Sequence, residues 1–364
     1  MKYSKIYIEK EIEKHPETLK ITSQSNAEIQ IIKDAEKLFK KISKAADPIG
    51  EGKKILLLSQ NKGPFLKKCP GTKNYICCGY KILHIASFCT MDCSYCILQA
   101  YFHPPILRYF VNTEDMEKEL DALFAEKTIY RVGTGEFSDS LIFENNTNIS
   151  ANLTEKFGGQ KHCILELKTK TVNIKKLQGL NHNRKTIISW SLNTQKVIAE
   201  EERDTASLDA RLKAAAQCEK WGYPLAFHFD PIIIYKGAEE DYKKVIKKLF
   251  SIVSKDNIVW ISIGTFRFIP TLKKIIETRF KNSKIIYGEF IKGLDNKMRY
   301  FKPIRIEIYK KIISYIKQIA PEVLIYFCME DEQVWQKSFG FTPEQKGGLA
   351  SMLDKSAKRH CGLL

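Results

Sequence analysis

Three cysteines in the segment SFCTMDCSYC have the spacing of iron–sulfur ligands. Cys89, Cys93 and Cys96 follow the pattern C-x3-C-x2-C, and three thiolates on one short loop can hold three irons of a [4Fe–4S] cluster. The fourth iron then stays open to bind and reduce a small molecule. Incidental cysteines or a zinc site completed from elsewhere are the alternatives, but zinc sites usually contain two C-x2-C halves. The spacing therefore predicts a [4Fe–4S] cluster.

The elements around this loop alternate between strand and helix. Six runs rich in β-branched residues predict strands at 81–88, 128–133, 162–168, 185–192, 224–230 and 257–264. Amphipathic patterns between them predict helices, most clearly at 113–126, 207–222 and 239–253. Such alternation predicts parallel pairing with right-handed crossovers, in an open partial barrel or a doubly wound sheet. Either architecture places the chemistry at the carboxyl ends of the strands, and the cysteine loop directly follows the first strand.

The flanks of this repeating pattern differ from it. Residues 1–53 read as a polar, helical lead-in, and after residue 264 the pattern loosens into a basic segment, one further strand at 322–329 and a polar tail. We therefore predict an N-terminal extension with a Cys-rich loop at 1–80 and a barrel at 81–270. A basic C-terminal extension would follow at 271–364.

Composition limits the class of protein. The chain has 364 residues, of which 44% are hydrophobic and 28% charged, and a net charge of +17. These values exclude a disordered chain and favour a polyanionic partner. No apolar run approaches the ~18 residues of a membrane span, and the charged N-terminus lacks the apolar core of a signal peptide. We expect a cytoplasmic protein without a membrane partner, in which clustered cysteines bind metal or react.

The cysteine motif, with Tyr95 just before its last cysteine, resembles that of the radical S-adenosylmethionine (AdoMet) superfamily. In that superfamily AdoMet chelates the open iron, and the reduced cluster cleaves it to a 5′-deoxyadenosyl radical that abstracts hydrogen from the substrate. The resemblance implies a [4Fe–4S] cluster and AdoMet as cofactors and a partial (β/α)6 TIM-type barrel as the fold. It also implies a low-potential electron donor such as flavodoxin or ferredoxin.

A closer resemblance, over about 81–310, is to spore photoproduct lyase and its relatives, which reverse a thymine dimer in ultraviolet-damaged spore DNA. It lies in the segments CSYCILQAYF, RYFVN (108–112), SWSLN (189–193) and GYPLAFHFDPI (222–232). By position, Ser138, Lys168 and Ser191 match residues that contact AdoMet in the lyases, and we add Asn193 from the same segment. Ordinary polarity at strand ends is the alternative for Lys168 and Ser191.

Three positions depart from the lyase pattern. The lyases have a hydrogen-donating cysteine three residues before an Asp, where this chain has Glu136. The stretch GTGE instead resembles the glycine-rich stretch that holds the AdoMet amine in other radical enzymes, so Gly135 and Glu136 are predicted to bind AdoMet. A tyrosine expected after the last cluster cysteine is Ile97, and the lesion-wedging hairpin at 297–309 is shorter.

Because Glu136 stands in place of the hydrogen-donating cysteine of the lyases, other thiols of the chain are candidates for this role. The segment CPGTKNYICC contains Cys69, Cys77 and Cys78 just before the first strand. A loop thiol could replace the donor, for which we predict Cys77 or Cys78, or these cysteines could bind a second metal. Cys328, at the end of the last predicted strand, is another candidate donor, although a core cysteine is the ordinary interpretation. Tyr95 completes the predicted catalytic group.

The segment 271–320 has the composition of a nucleic-acid-binding surface. It contains 13 Lys/Arg against 4 Asp/Glu, interleaved with aromatic residues, and such cations and rings suit phosphates and bases. A solvated helix face is the alternative. We predict a radical AdoMet lyase that repairs a thymine dimer in DNA by hydrogen abstraction and C–C bond cleavage. A diverged enzyme that modifies RNA, a peptide or a small molecule, and a non-enzymatic iron–sulfur protein that binds nucleic acid or senses redox state, are the alternatives.

Overall fold

The computed structural model describes residues 3–72 and 74–364. Its strands, in chain order, are β1 (Lys5–Glu9), β2 (Glu28–Ile32), β3 (Ile55–Ser59), β4 (Leu66–Lys68), β5 (Lys81–Leu83), β6 (Ala86–Ser87), β7 (Asp92–Cys93), β8 (Leu107–Phe110), β9 (Tyr130–Gly133), β10 (Cys163–Thr169), β11 (Thr186–Ser191), β12 (Glu202–Arg203), β13 (Leu225–Ile232), β14 (Ile258–Thr265), β15 (Arg267–Phe268), β16 (Phe290–Lys292), β17 (Met298–Tyr300) and β18 (Ile325–Phe327).

The α-helices are α1 (Pro16–Ser23), α2 (Glu36–Ser43), α3 (Pro48–Lys53), α4 (Leu98–Tyr101), α5 (Thr113–Ala125), α6 (Ile149–Gly158), α7 (Gln195–Glu201), α8 (Leu208–Lys220), α9 (Ala238–Ile252), α10 (Pro270–Arg279), α11 (Lys302–Ile319), α12 (Glu332–Phe339) and α13 (Leu349–Cys361). Short 3₁₀ helices lie at Lys10–Ile12, Lys175–Leu177, Lys255–Asn257 and Pro343–Lys346. Within the described ranges no helix is long and apolar enough to cross a membrane.

The predicted barrel strands form one curled sheet. Its order is β18-β14-β13-β11-β10-β9-β5-β4, and every pair is parallel except the edge pair β4–β5. The strands are buried on both faces, as β14 illustrates with eight buried residues, because helices cover a parallel sheet. The further strand predicted at 322–329 contains β18, which adds a seventh parallel strand beside β14. The partial (β/α) barrel is confirmed, with its carboxyl strand ends on one side.

The N-terminal region is less helical than predicted. Strands β1, β2 and β3 lie within or next to the supposed helical lead-in, and they form a second sheet of order β2-β1-β3-β8-β6. Helices α1, α2 and α3 connect these strands. The segment EIQII, which the helical pattern includes, is strand β2 in parallel register with β1, because its β-branched residues suit an extended backbone next to a partner strand.

The first predicted barrel strand, 81–88, divides in two. Strand β5 pairs with β9 in the barrel sheet, whereas β6 pairs antiparallel with β8 in the N-terminal sheet. Phe88 then adopts a positive φ of 71°. This change of direction links the two sheets immediately before the cysteine motif, so the motif lies where they meet.

The basic segment also has a defined structure. Helix α10 is followed by the antiparallel strands β16 and β17, which we call the C-terminal hairpin (residues 290–300). The range 297–309, predicted as a hairpin, is a hairpin only up to Tyr300, because helix α11 begins at Lys302 with a proline in its first turn. Helices α12 and α13 make up much of the predicted polar tail. The three-part domain division stays a prediction.

Candidate functional site

A cavity of about 330 Å³ opens at the carboxyl ends of the barrel strands. The cavity is lined by residues that follow strands β9 and β14 and by residues at or near the ends of β10, β11 and β13. The cysteine motif lines the same cavity from the side of the N-terminal sheet. The structure therefore brings the two predicted features, strand ends and cysteine loop, to one place.

All three motif cysteines line this cavity. Cys89 and Cys93 are buried and Cys96 is half-buried, and burial raises the pKa of Cys89 and of Cys93 to about 12. No group of three His, Cys, Asp or Glu side chains in residues 3–72 and 74–364 is arranged around a single metal ion. A [4Fe–4S] cluster requires no such convergence, since each cysteine binds a different iron. Three thiols on one cavity wall fit that cluster.

Several elements hold the cysteine loop in place. Lys53, at the end of α3, donates to the carbonyl oxygens of Cys89, at 3.2 Å, and of Met91. Arg279, at the end of α10, makes two hydrogen bonds of 3.0 and 3.2 Å to the Asp92 carboxylate. The Gln99 amide donates to carbonyl oxygens of the loop, at 3.0, 3.2 and 3.5 Å from those of Cys93, Ser94 and Cys96. The loop backbone is therefore fixed by polar contacts from three elements.

Tyr95 is buried and held by a charged network. Its hydroxyl donates to Glu202, which in turn accepts from Arg211 at 2.5 Å. Lys170 Nζ lies 2.8 Å from the Tyr95 hydroxyl oxygen and 3.9 Å from Cys93 Sγ. Burial raises the pKa of Tyr95 well above 10. These contacts orient Tyr95 as part of the cavity wall and bring the cation of Lys170 next to a cluster cysteine.

Glu136 and Lys168 form an ion pair within the cavity. Their Oε1 and Nζ atoms are 2.6 Å apart, and the Lys168 ammonium holds the pKa of Glu136 below its usual value. Burial opposes the charge on Lys168, but Glu136 outweighs it and raises the lysine pKa. A Cβ at Gly135 would lie 2.8 Å from the Lys168 Cβ, so the glycine lets this loop pack against β10. All three predicted residues are therefore together in the cavity.

The predicted polar residues of the other loops divide into two groups. Ser138 lines the cavity with a buried hydroxyl that has no hydrogen-bond partner in the described part of the chain, and Ser191 lines it too. Asn193 does not line it. Its amide donates to the Pro231 carbonyl at 2.9 Å and its oxygen accepts from Tyr242 at 2.7 Å. Asn193 thus holds the β11 loop against β13, in place of the predicted cofactor contact.

The loop thiol that lines the cavity is Cys69, which is not among the predicted donors. The predicted donors Cys77, Cys78 and Cys328 are not among the lining residues. Cys77 is exposed, while Cys78 and Cys328 are half-buried. Cys328 nevertheless lies close enough to Glu136 for their charges to interact.

The thiols of this loop differ in pKa. A hydrogen bond from Cys78 lowers the pKa of Cys77 to about 5, and the same contact, with burial, raises that of Cys78 well above 9. Burial also raises the pKa of Cys69 and raises that of Cys328 to about 12. The pKa of Cys77 is therefore shifted below the usual value of a cysteine thiol, whereas those of Cys69 and Cys328 are shifted above it.

Three basic lining residues were not predicted from the sequence. Lys170 follows β10 two residues after Lys168, and Arg267 pairs with Asp230 at 3.1 Å. Lys297 of the C-terminal hairpin is the third. Strand-end position could have identified the first two, because polar residues after parallel strands face the site. No local sequence pattern predicts that Lys297 lines the cavity, because the fold of the hairpin brings this residue there.

Exposed apolar side chains lie on the C-terminal hairpin and on the segments that flank it. Ile291 and Leu294 of the C-terminal hairpin are 43% and 66% exposed, and Tyr287 and Phe301 beside it are 62% and 45% exposed. Lys284 and Lys292, also exposed, lie among them. Since Lys297 of this hairpin lines the cavity, the exposed surface continues into the site.

Comparison with known proteins agrees with this geometry. A family model described as spore photoproduct lyase matches residues 76–326. The chain is 30% identical over 209 residues to a spore photoproduct lyase of Bacillus subtilis, a match that covers 56% of this chain and 61% of that protein. The match to a spore photoproduct lyase of Clostridium acetobutylicum is 27% identical over 255 residues and covers 69% of this chain and 72% of that protein. The chain thus spans about three fifths of the length of the Bacillus relative.

Solved structures show the same fold. A spore photoproduct lyase double mutant with bound AdoMet and dinucleoside spore photoproduct superposes with a TM-score of 0.78 at 22% identity, over 89% of this chain and 98% of that chain. A single mutant of spore photoproduct lyase with dinucleoside spore photoproduct superposes with a TM-score of 0.80, over 89% of this chain and 98% of that chain. Because the family model matches well over half of the residues, the chain belongs to the spore photoproduct lyase family.

Proposed function

We propose that this protein is a radical AdoMet lyase that repairs the spore photoproduct in DNA. One observation supports this most strongly: the three cysteines of the cluster motif and a protonated thiol, Cys69, line a single cavity at the strand ends. Membership of the family supplies the reaction class, because relatives of this chain are named for it. The residues of the cavity supply the roles that the reaction needs.

Cys89, Cys93 and Cys96 would hold the cluster, with AdoMet beside it. When bound and reduced by a carrier such as flavodoxin or ferredoxin, this pair supplies a 5′-deoxyadenosyl radical. The unpartnered Ser138 hydroxyl and Ser191 offer hydrogen bonds to AdoMet from two strand ends.

The pair of Glu136 and Lys168 offers both signs of charge to the amine and carboxylate of AdoMet. Its partners face each other across neighbouring strands, at 2.6 Å. A small rotation of either side chain would allow AdoMet to be held without leaving a buried charge unpaired, which is costly.

Cys69 would supply the hydrogen that the relatives take from the position of Glu136. A hydrogen-atom donor must carry its S–H bond, and burial, which raises the pKa of Cys69, keeps that bond. Cys77 fails this requirement because its low pKa leaves it ionised. Cys328 meets it but does not line the cavity, so we rank it second.

The proposed step balances in atoms and electrons. Hydrogen abstraction from the lesion is followed by scission of the C–C bond between the two thymines, which leaves a carbon radical on one of them. The Cys69 S–H bond breaks and a C–H bond forms, so the second thymine is restored and a sulfur radical remains. One electron from the same low-potential carrier and one proton from solvent would then convert the sulfur radical back to the thiol, while the abstracted hydrogen stays in 5′-deoxyadenosine.

The C-terminal hairpin would contact the DNA. Its exposed Lys292, with the exposed Lys284 just before the hairpin, can neutralise phosphates. Its exposed Ile291 and Leu294 can replace the stacking of bases around an extruded lesion. Because the hairpin continues into the cavity through Lys297, DNA bound there would present a lesion to the thiol.

The test is turnover of a synthetic oligonucleotide that contains one spore photoproduct. Anaerobically reconstituted protein, AdoMet and dithionite should restore both thymines and form 5′-deoxyadenosine, and the Cys93→Ala variant should do neither. Formation of 5′-deoxyadenosine without restored thymine would overturn the DNA-repair proposal in favour of another substrate. Failure to form it at all would exclude every radical AdoMet function.

A further inference from the structure

The loop that carries Cys69 is bound directly to the C-terminal hairpin. The Arg299 guanidinium lies 4.1 Å from the centre of the Tyr75 ring, a distance typical of a cation–π contact. The backbone N–H of Leu294, at the tip of the hairpin, donates to the Tyr75 hydroxyl oxygen at 3.2 Å. Tyr75 thus contacts both the stem and the tip of the hairpin.

The hairpin side of this contact is rigid. Arg299 is 2% exposed, pairs with Asp295 at 2.7 Å and donates to the Met329 carbonyl at 3.0 Å. A Cβ at Gly293 would lie 2.8 Å from the Tyr75 hydroxyl oxygen, so the backbone approaches the ring as closely as a glycine allows. The ring therefore fits into a preformed surface of the hairpin.

Two further contacts hold the loop on either side of Tyr75. Lys297 Nζ donates to the Thr72 hydroxyl at 3.2 Å, and the backbone N–H of Ile76 donates to the Glu330 carbonyl at 3.1 Å. The backbone N–H of Cys69 donates to the Tyr80 carbonyl across the base of the loop, at 3.0 Å. A displacement of the hairpin would consequently move this loop and the thiol that it carries.

We propose that Tyr75 is a positioning residue, which couples the binding of DNA at the C-terminal hairpin to the placement of the Cys69 thiol in the cavity. The inference rests on the proposed function, since it assigns the thiol its task. Hydrogen transfer from sulfur depends steeply on geometry, and a displacement of about 1 Å can slow a reaction by about a hundredfold. Without the Tyr75 contact, radicals form but fewer are used for repair.

The test compares Tyr75→Leu with Tyr75→Phe and with Leu19→Ala, a control change at an exposed apolar residue of helix α1. The first readout is the ratio of 5′-deoxyadenosine formed to thymine pairs restored in a lesion-containing duplex. The second, independent of turnover, is the rate of Cys69 alkylation measured by peptide mass spectrometry, with and without duplex DNA.

For Tyr75→Leu we expect the ratio to rise by about fivefold, with unchanged AdoMet cleavage in the absence of DNA. Duplex DNA should slow Cys69 alkylation in the wild type and in Leu19→Ala but not in Tyr75→Leu. Tyr75→Phe, which keeps the ring on Arg299, should retain most of the coupling. Equal ratios and equal DNA protection in Tyr75→Leu and the wild type would overturn the inference.

Failure of the proposed function is recognised separately. If the wild type restores no thymine, the repair proposal fails. The alkylation experiment still decides whether Tyr75 couples the hairpin to the loop, because loss of DNA protection in Tyr75→Leu alone supports the coupling. Equal protection in both proteins contradicts it.

Discussion

At the scale of single residues, the cysteines of this chain occupy different environments. Ten cysteines occur in the chain, and identical side chains range from the exposed thiolate of Cys77 to the buried Cys218 in the packed core. Position relative to the cavity, which Cys69, Cys89, Cys93 and Cys96 line, separates these cysteines from the others. Burial alone does not, because it raises the pKa of Cys89 and of Cys328 alike to about 12.

The cluster ligands give the first prediction. Replacing Cys93 by alanine should reduce bound iron to background and abolish AdoMet cleavage, because a cluster cannot be held by two of its three ligands. Iron and sulfide are measured after anaerobic reconstitution. Cys218→Ala, a change at a buried cysteine of helix α8, should keep both. Full iron content in the Cys93 variant would show that the cluster is elsewhere.

The Cys-rich loop gives a second prediction, on pH. With a pKa of about 5, Cys77 is ionised throughout neutral pH, so its alkylation rate should change less than about twofold between pH 6 and 8. Cys78→Ala removes the hydrogen bond that stabilises the thiolate. Alkylation of Cys77 at pH 6 should then slow by more than about tenfold. A steep rise with pH in the wild type would contradict the assignment.

At the scale of elements, helix α10 fixes the cysteine loop from outside the barrel. Arg279 joins Asp92 through two hydrogen bonds and also pairs with Asp47 at 3.0 Å. Arg279→Met should therefore lower the free energy of unfolding by about 2 kcal/mol, since hydrogen bonds between charged groups contribute that much when partly buried. Urea titration measures the loss.

The same variant should lose iron faster in a chelator challenge, because the loop that holds the ligands is loosened. Lys273→Met, a change at an exposed position of the same helix, is the control and should match the wild type in both assays. Equal stability and equal iron retention in the two variants would show that α10 does not support the loop.

The elements also show what the sequence can predict. Strands β9, β10, β11, β13 and β14 lie where β-branched runs predicted them, because a strand buried on both faces leaves a continuous apolar pattern. Strand β2 was not predicted. The apolar residues of EIQII lie next to a helical segment, and their spacing fits both the 3.6-residue period of a helix and the 2-residue period of a strand. Its state is decided by pairing with β1, which no local pattern reveals.

The candidate site was predictable to a similar degree. The cysteine triad, Glu136, Ser138, Lys168 and Ser191 all line the cavity, since motif spacing and strand ends are visible in the sequence. Asn193 and the choice among loop thiols were not predictable, because both depend on which way a side chain points after the chain turns. The roles themselves stay predictions.

At the scale of the whole molecule, the net charge of +17 gives a prediction on DNA binding. Charge reversal at Lys292 of the C-terminal hairpin or at Lys284 just before it, both exposed, should weaken binding to any duplex. It should also reduce the slope of log affinity against log salt by about 1 for each phosphate that the protein no longer neutralises. Lys247→Glu, on the exposed face of α9, should leave the slope unchanged. If all variants showed the same slope of log affinity against log salt, the hairpin would not be part of the DNA interface.

We propose that a thiol in this cavity returns hydrogen to a thymine freed from the spore photoproduct. The most direct measurement is turnover of the lesion-containing oligonucleotide in deuterium oxide, because a thiol hydrogen exchanges with solvent. We predict restored thymine that carries one deuterium, in the wild type and in Cys77→Ala, and a loss of at least about tenfold in restored thymine for Cys69→Ala. Restored thymine without deuterium, or full repair by Cys69→Ala, would contradict the account.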